Sequence, residues 1–307
     1  LKEPEKFRKI GAKIPKGVLL LGEVVMEPTK VMPYFGTDEK PECHLLYNVT
    51  TMATTWHTLA TQDTRLLQHQ LGQIFTLPKD KIFLNYLRCH DDIGWGLDYE
   101  FLAQFDMAEV PHKAFLNAYF RGFADFSEAR GELYNDDPLK GDARLCGTTA
   151  SLCGIEAGVK EGNQEKIDAA IRLDLMLHAF LLSQSGIPVL YSGDEIAMEN
   201  DYSYHDDPLK RHDSRYLHRG NFPWDKAAKR KKKGTVEEKL YSGILRLEAM
   251  RRKNKAFSAL ADTWIIDTKN IHVLAFGRYY EGEKIDGIDV NSIEVINGMC
   301  IKDKNSV

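Results

Sequence analysis

Short apolar runs and amphipathic stretches alternate along most of the chain. One run, Val18 to Leu21, follows Gly17 and ends in Gly22-Glu23. Others lie at residues 44–47, 81–88 and 186–190. Runs this short, without polar alternation, suit strands of a parallel sheet buried on both faces. Between them the apolar spacing is helical. Phe7, Ile10 and Ile14 mark a helix over residues 2–13, and Trp56, Leu59, Leu66, Leu67 and Leu71 one over 52–74, ended by Pro78. Ile167, Ile171, Leu175 and Leu181 mark another over 167–182, and residues 239–253 a last one. Strand, helix, strand, helix predicts βα units around a parallel sheet. Four strands fall short of the eight of a (β/α)8 barrel and leave two open edges.

Two stretches interrupt the alternation. Residues 93–162 form a long insertion, with an aromatic-rich part at 115–126 and a Gly/Asp/Pro-rich turn at 135–142. Residues 200–233 are a polar loop that contains the basic run Lys229 to Lys233. After the last helix, strands at 263–267 and 271–276 read as a separate small β unit.

Composition narrows the function classes. With 307 residues, 43% of them hydrophobic, the chain can build one or two real cores. The 41 Lys and Arg nearly balance the 45 Asp and Glu, so nothing global draws the chain to nucleic acid or an acidic membrane. The basic run then reads as a solvated loop. No apolar run reaches the roughly 18 residues of a membrane span. The charged start, Leu1-Lys2-Glu3-Pro4-Glu5-Lys6, lacks a signal-peptide core, and without an initiator Met the true start is expected upstream. Five cysteines, an odd number with no CxxC pair, suggest reduced thiols and a cytoplasmic setting rather than disulfides or zinc.

The candidate chemistry sits at strand ends, where Glu23 and His90-Asp91-Asp92 follow apolar runs. In (β/α)8 enzymes the strand C-termini carry the active face. Retaining glycosidases need two carboxyl groups about 5–5.5 Å apart, a nucleophile and an acid/base. A single acidic residue at a strand end is as often a helix cap or turn former. Asp194-Glu195 and His205-Asp206-Asp207 read as structural and solvated loops. Trp56 reads as core, whereas Trp95 and Trp224 are candidates for stacking on sugar rings.

Three segments resemble amylosucrases, within the α-amylase family (glycoside hydrolase family 13). They are residues 18–36, with Glu23, Pro28 and Tyr34-Phe35-Gly36; residues 85–95, with His90-Asp91-Asp92-Ile93-Gly94-Trp95; and residues 186–195, continuing to His212-Asp213-Ser214-Arg215 and His218-Arg219. Gly141-Asp142-Ala143-Arg144 and Gly147-Thr148 also fit. The resemblance implies that Glu23 is the general acid/base and Asp91 the carboxylate that stabilises the transition state. It implies that His90 contacts the same sugar, that Asp92 and Arg144 shape the subsites, and that Arg215 closes the glucosyl pocket through a salt bridge to an acidic partner upstream.

The implied fold is the C-terminal half of a (β/α)8 TIM barrel with an inserted helical subdomain and the start of a C-terminal β domain. Residues 1–92 would hold barrel strands five to seven, 93–162 the insertion after the seventh, 163–256 the end of the barrel and 257–307 a partial β domain. The implied activity is retaining glucosyl transfer from sucrose to an α-1,4-glucan with release of fructose, without metal or organic cofactor. Sucrose and α-glucans would be the partners. A sucrose hydrolase, α-glucosidase or α-amylase is the near alternative, and a non-catalytic carbohydrate-binding relative is one of another class. The family's nucleophile, an Asp in an Arg-x-Asp setting on the strand before Glu23, has no counterpart here, so the isolated chain is expected to be inactive. Lys113 beside His112 also departs from the family's usual Arg.

Overall fold

The structure is a computed structural model. It describes residues 19–26, 28, 30–37, 39–137 and 142–281, and the backbone alone at 283–284, 294–296 and 300–302. The helix expected over residues 2–13 lies outside the described residues.

Strand β1 (Leu21–Gly22) leads through a 3-10 turn at Met32–Phe35 to β2 (Leu45–Tyr47). Helices α1 (Val49–Thr61) and α2 (Arg65–Phe75) return the chain to β3 (Ile82–Tyr86). The stretch that follows contains α3 (Tyr99–Ala103), α4 (Glu109–Phe120), the hairpin strands β4 (Glu132–Asp137) and β5 (Asp142–Cys146), α5 (Thr149–Leu152), α6 (Ile155–Glu161) and the long α7 (Gln164–Ser183). Next come β6 (Ile187–Val189), α8 (Trp224–Ala228) and α9 (Val236–Lys253). The chain ends in β7 (Asp262–Ile266), β8 (Ala275–Tyr280) and β9 (Glu283–Lys284), then the antiparallel pair β10 (Glu294–Ile296) and β11 (Cys300–Lys302).

The central sheet is parallel, in the order β1-β2-β3-β6. The α/β architecture that the alternation predicts is therefore present. Register fixes the two faces, because successive side chains alternate across a strand. Leu46 and Phe83 are paired and share one face, which is fully buried against Val31 and Phe35. Leu21, Leu45, Leu84 and Ile187 share the other. The main core lies beside the sheet, where α1 meets α4. There Trp56 and Phe120, both fully buried, pack edge to face at 5.6 Å, and the Trp56 Nε1–H donates to the Leu87 carbonyl at 2.7 Å.

The apolar spacing over residues 52–74 predicts one helix, and the structure has two. The chain leaves α1 at Gln62, which takes a left-handed conformation (φ 56°). Asp63 then pairs with the Arg65 guanidinium at 2.5 Å and accepts the Arg65 N–H at 2.9 Å. Both the N–H and the hydroxyl of Thr64 donate to the Ile271 carbonyl at 2.8 Å. A contact 207 residues away in sequence thus spends the turn's backbone donor outside the helix, which the apolar periodicity cannot register. The strand expected at 271–276 begins only at Ala275, because Asn270 caps a turn by accepting the His272 N–H.

Helix α7 starts at Asn163, whose side chain accepts the Lys166 N–H. Its buried face carries Ile167, Ala170, Ile171, Asp174, Leu177, His178 and Leu181, the spacing of a core-facing stripe. From α9, Arg251 donates to the carbonyls of Leu182, Gln184 and Gly186 and so ties the end of α7 to the start of β6. Gly186 has φ 101°, and a Cβ there would sit 2.3 Å from the Phe83 carbonyl oxygen, so only glycine lets β6 approach β3. No helix among the described residues is long and apolar enough to cross a membrane.

Candidate active site

All four strands of the sheet point the same way, so the segments that follow them gather at one end. Glu23 follows β1, Asn48 follows β2, and Arg88 to Asp92 follow β3. Asn48 Nδ2–H donates to Asn85 Oδ1 at 2.8 Å, and Asn85 Nδ2–H to the Ser185 carbonyl at 2.7 Å, which locks the buried polar groups between β2, β3 and β6.

Asp91 is the hub. Its Oδ1 is 3.1 Å from a terminal nitrogen of Arg219 and 3.5 Å from one of Arg215, and its Oδ2 is 3.3 Å from His90 Nε2. Two guanidinium groups and an imidazole thus converge on one half-buried carboxylate. The backbone before it is clamped as well. The His90 carbonyl accepts from Arg219 Nε at 2.5 Å and from His218 Nε2 at 3.3 Å. The other ring nitrogen of His218, Nδ1, accepts the Gly147 N–H at 3.1 Å. These partners select the neutral Nε2–H tautomer. Burial, and after it the Arg88 charge, hold His218 down to about 3, which keeps the ring neutral.

Arg215 has an acidic partner two residues away: its Nε and a terminal nitrogen grip Asp213 at 2.8 Å each, while the partner that the resemblance implies upstream lies outside the described residues. This hydrogen-bonded pairing holds Asp213 below the usual carboxylate range, against its burial. The guanidinium also lies 4.6 Å from the Tyr134 ring centre, on β4. Arg144, on β5, reaches Asp92 at 3.5 Å. Hairpin β4–β5 is itself stapled to the site loop, because Ile93 and Leu145 exchange both backbone hydrogen bonds.

Glu23 is exposed, at the mouth of the same sheet end. It shares an environment with Asp91 through two tyrosines. Burial raises the Tyr47 and Tyr86 hydroxyls, and the negative charges of Glu23 and Asp91 add to it at both. The two rings meet edge to face at 5.4 Å. The sequence-derived candidates Asp91, His90, Asp92, Arg144 and Arg215 thus fall into one connected cluster, with Glu23 within electrostatic reach.

Beneath the cluster lies an ion pair that the sequence reading does not single out. Arg88 and Asp194 are both fully buried, with Arg88 Nε at 2.8 Å and a terminal nitrogen at 2.7 Å from Asp194 Oδ1. The pair ties the end of β3 to the turn after β6. Gly193, at φ 99°, shapes that turn. A charged residue directly after the apolar run of β3 was the available signal.

Trp95 does not line the site. It is buried, stacks on Phe120 and donates to Asn117 Oδ1. Trp224 stands 76% exposed beside Phe222. His205 reaches Glu132 at 2.9 Å, and Asp207 reaches Lys210 at 3.1 Å. The ligand atoms of Cys89, His90 and Asp91 lie within 4.8 Å of one another, as a metal would require. The arginines already on Asp91 oppose a cation there, and burial raises the Cys89 thiol, which disfavours the thiolate a metal needs.

No family model matches the sequence. Solved structures match the fold. Sucrose 6F-phosphate phosphorylase from Thermoanaerobacter thermosaccharolyticum aligns with a TM-score of 0.58 at 18% identity, over 92% of this chain and 50% of that one. Cyclic α-maltosyl-(1→6)-maltose hydrolase from Arthrobacter globiformis aligns with a TM-score of 0.51 at 14% identity, over 90% of this chain and 42% of that one. The chain therefore has the fold of one part of these two enzymes and spans half of their length or less.

Proposed function

We propose that the chain is the acid/base and sugar-binding part of a retaining enzyme acting on α-glucosides, with sucrose as donor and an α-glucan or water as acceptor. The observation that carries this is the Asp91 carboxylate at the end of β3, held by Arg219, Arg215 and His90 on the sheet end that also presents Glu23. The fold likeness to a sucrose 6F-phosphate phosphorylase supports the sugar class. In this reading residues 1–92, 163–256 and 257–307 are parts of a (β/α)8 barrel and its following β domain, and residues 93–162 are an insertion that walls the site.

The chemistry follows from the residue types. Glu23 gives its proton to the glycosidic oxygen as the bond to the anomeric carbon breaks and the leaving sugar departs. A second carboxylate, from polypeptide outside these residues, forms the bond to that carbon. In the second half Glu23 takes the proton of the acceptor hydroxyl as its oxygen bonds to the anomeric carbon and the bond to the second carboxylate breaks. Asp91, fixed by its arginines, accepts hydrogen bonds from sugar hydroxyls that strengthen as positive charge develops. Asp92 and Arg144 form the wall toward the acceptor.

In the protein that carries the nucleophile, Glu23→Gln is expected to remove most turnover of sucrose while leaving its binding in place. Unchanged turnover would exclude Glu23 as the acid/base. Asp91→Asn is expected to lower kcat rather than raise KM, since its bonds matter most in the transition state. A pure KM effect would leave Asp91 as a binding residue only. Comparing fructose and glucose release from sucrose, maltose and starch distinguishes the sucrose reading from an α-glucosidase or α-amylase. Binding of all three without any turnover would favour the non-catalytic alternative.

A further inference from the structure

Two arginines are almost fully enclosed, and only one of them has an acid. Arg88 is paired with Asp194. Arg278, on β8, is as deeply buried but spends its guanidinium on neutral groups. Its Nε donates to the Ala256 carbonyl at 2.7 Å, one terminal nitrogen to the Ser258 carbonyl at 2.8 Å, and the other to Ser185 Oγ at 3.1 Å. A guanidinium carries five N–H donors, so one on each terminal nitrogen remains beyond these bonds. Among the described residues no carboxylate pairs with Arg278, and the charge that acts on it is the like charge of Arg251, which has no acid either. Burial first, and then Arg251, bring Arg278 down to about 10. Enclosed charges are ordinarily paired, because leaving water is costly.

Arg278 also lines a cavity. A partly enclosed space of about 50 Å³ lies between α2, α7, β8 and the start of β3. Phe75, Phe180 and Phe276 form one of its walls, with the Phe276 ring centre 6.1 Å from that of Phe75 and 6.4 Å from that of Phe180. Ser185 and the exposed Lys79, which is ion-paired with Asp262, line it as well. Strand β3 has a strand on each side, so this part of the molecule is not at a margin of the sheet.

We propose that this cavity is a binding site for a small monocarboxylate of two or three carbons, with its oxygens on Arg278 and its alkyl end against the phenylalanines. The planar fork of a guanidinium matches the two oxygens of a carboxylate. A phosphate would set its remaining oxygens against phenyl rings, where they find no donor. Size selects as well. A cavity of roughly 150 Å³ takes benzene, so one of about 50 Å³ takes a few heavy atoms and no ring. The bound anion would neutralise Arg278 where β8, the turn after α9 and the start of β6 meet, and so firm the join between the sheet and the β unit. The proposal needs nothing from Asp91, which follows the other end of β3, so neither reading falls with the other.

The test is saturation-transfer NMR of the purified chain with propionate, together with its melting temperature in propionate against chloride at equal ionic strength. The expected result is saturable binding, and a melting temperature that climbs by about 2 °C for each tenfold of propionate above its dissociation constant. Benzoate and inorganic phosphate should do neither. Arg278→Gln should abolish both effects. Ala259→Leu, which fills the cavity from its wall and keeps the guanidinium, should abolish them too. A parent chain without saturable propionate binding overturns the proposal. So does binding that survives Ala259→Leu, which would put propionate elsewhere, or phosphate that displaces propionate on equal terms, which would make the site a reader of charge alone. The parent chain and Ala259→Leu decide the matter even where Arg278→Gln fails to fold.

Discussion

Asp194→Ala should cost the chain about 3–5 kcal/mol of stability, because it strands the buried Arg88 guanidinium without its counter-charge. The expectation is sharp because both groups are so deeply enclosed: water cannot reach in to replace the lost carboxylate. Replacing both partners with apolar residues, Arg88→Met with Asp194→Leu, should recover most of the loss, since the cost of desolvating two charges disappears along with their attraction. Urea unfolding at one fixed protein concentration measures both changes. A single variant within about 1 kcal/mol of the parent would mean that the site relaxes or hydrates around Arg88. The same pair joins the end of β3 to the turn after β6, so the single variant should also loosen the segment carrying His90 and Asp91.

Mild acid should destabilise the chain well above the pH at which carboxylates titrate. His57 is fully buried, and neither ring nitrogen has a hydrogen-bond partner among the described residues. Burial first, and the neighbouring His112 ring next, hold His57 down to about 3. His218 sits at about 3 as well, from burial and then the Arg88 charge. An unfolded histidine titrates near 6.5. Between about 6.5 and 3 the unfolded chain therefore binds protons that the folded one refuses, and stability falls as pH falls. Each ring contributes roughly 1.4 kcal/mol per pH unit within that window. His178 runs the other way: burial opposes its charge, but Asp174 outweighs burial and raises it, so its contribution is present in acid and lost as pH rises. With His112 also lowered by burial, three depressed rings against one raised ring leave a net acid sensitivity. The urea midpoint followed from pH 7 to pH 4 should drop steadily, and His57→Leu should flatten the slope. A midpoint that holds steady down to pH 5 would show that these rings are hydrated in the folded state.

The parallel α/β architecture was legible because it rests on local pattern. The apolar runs that became β2, β3 and β6 are short and bounded by turn residues, and α7 shows its buried stripe in plain spacing. What local pattern cannot carry is a partner far away in sequence. The break between α1 and α2 depends on the Ile271 carbonyl, and α7 hides Asp174 and His178 within an otherwise apolar face. The same limit holds at the site. Asp91 was conspicuous as an acid at a strand end, but the clamp on the His90 carbonyl is assembled from Arg219 and His218, roughly 130 residues downstream. Arg215 shows a shorter-range case: its partner Asp213 lies only two residues away, where the residue types alone would suggest a pair.

The hairpin β4–β5 is not a detachable accessory. Its Leu145 is bonded through both backbone groups to Ile93, its Leu133 carbonyl accepts from the Ser214 hydroxyl, and the Gly147 amide just beyond it is read by His218. Transplanting a related insertion into this chain would therefore exchange the supports of Asp91 along with the decoration above it. Chimeras cut at residues 93 and 162 should inherit a displaced His90–Asp91 loop unless the Ser214–Arg219 turn travels with them. In such a scaffold, diversity can be grafted only in matched pieces, and a change of specificity drawn from a relative must come from two separated stretches of chain at once.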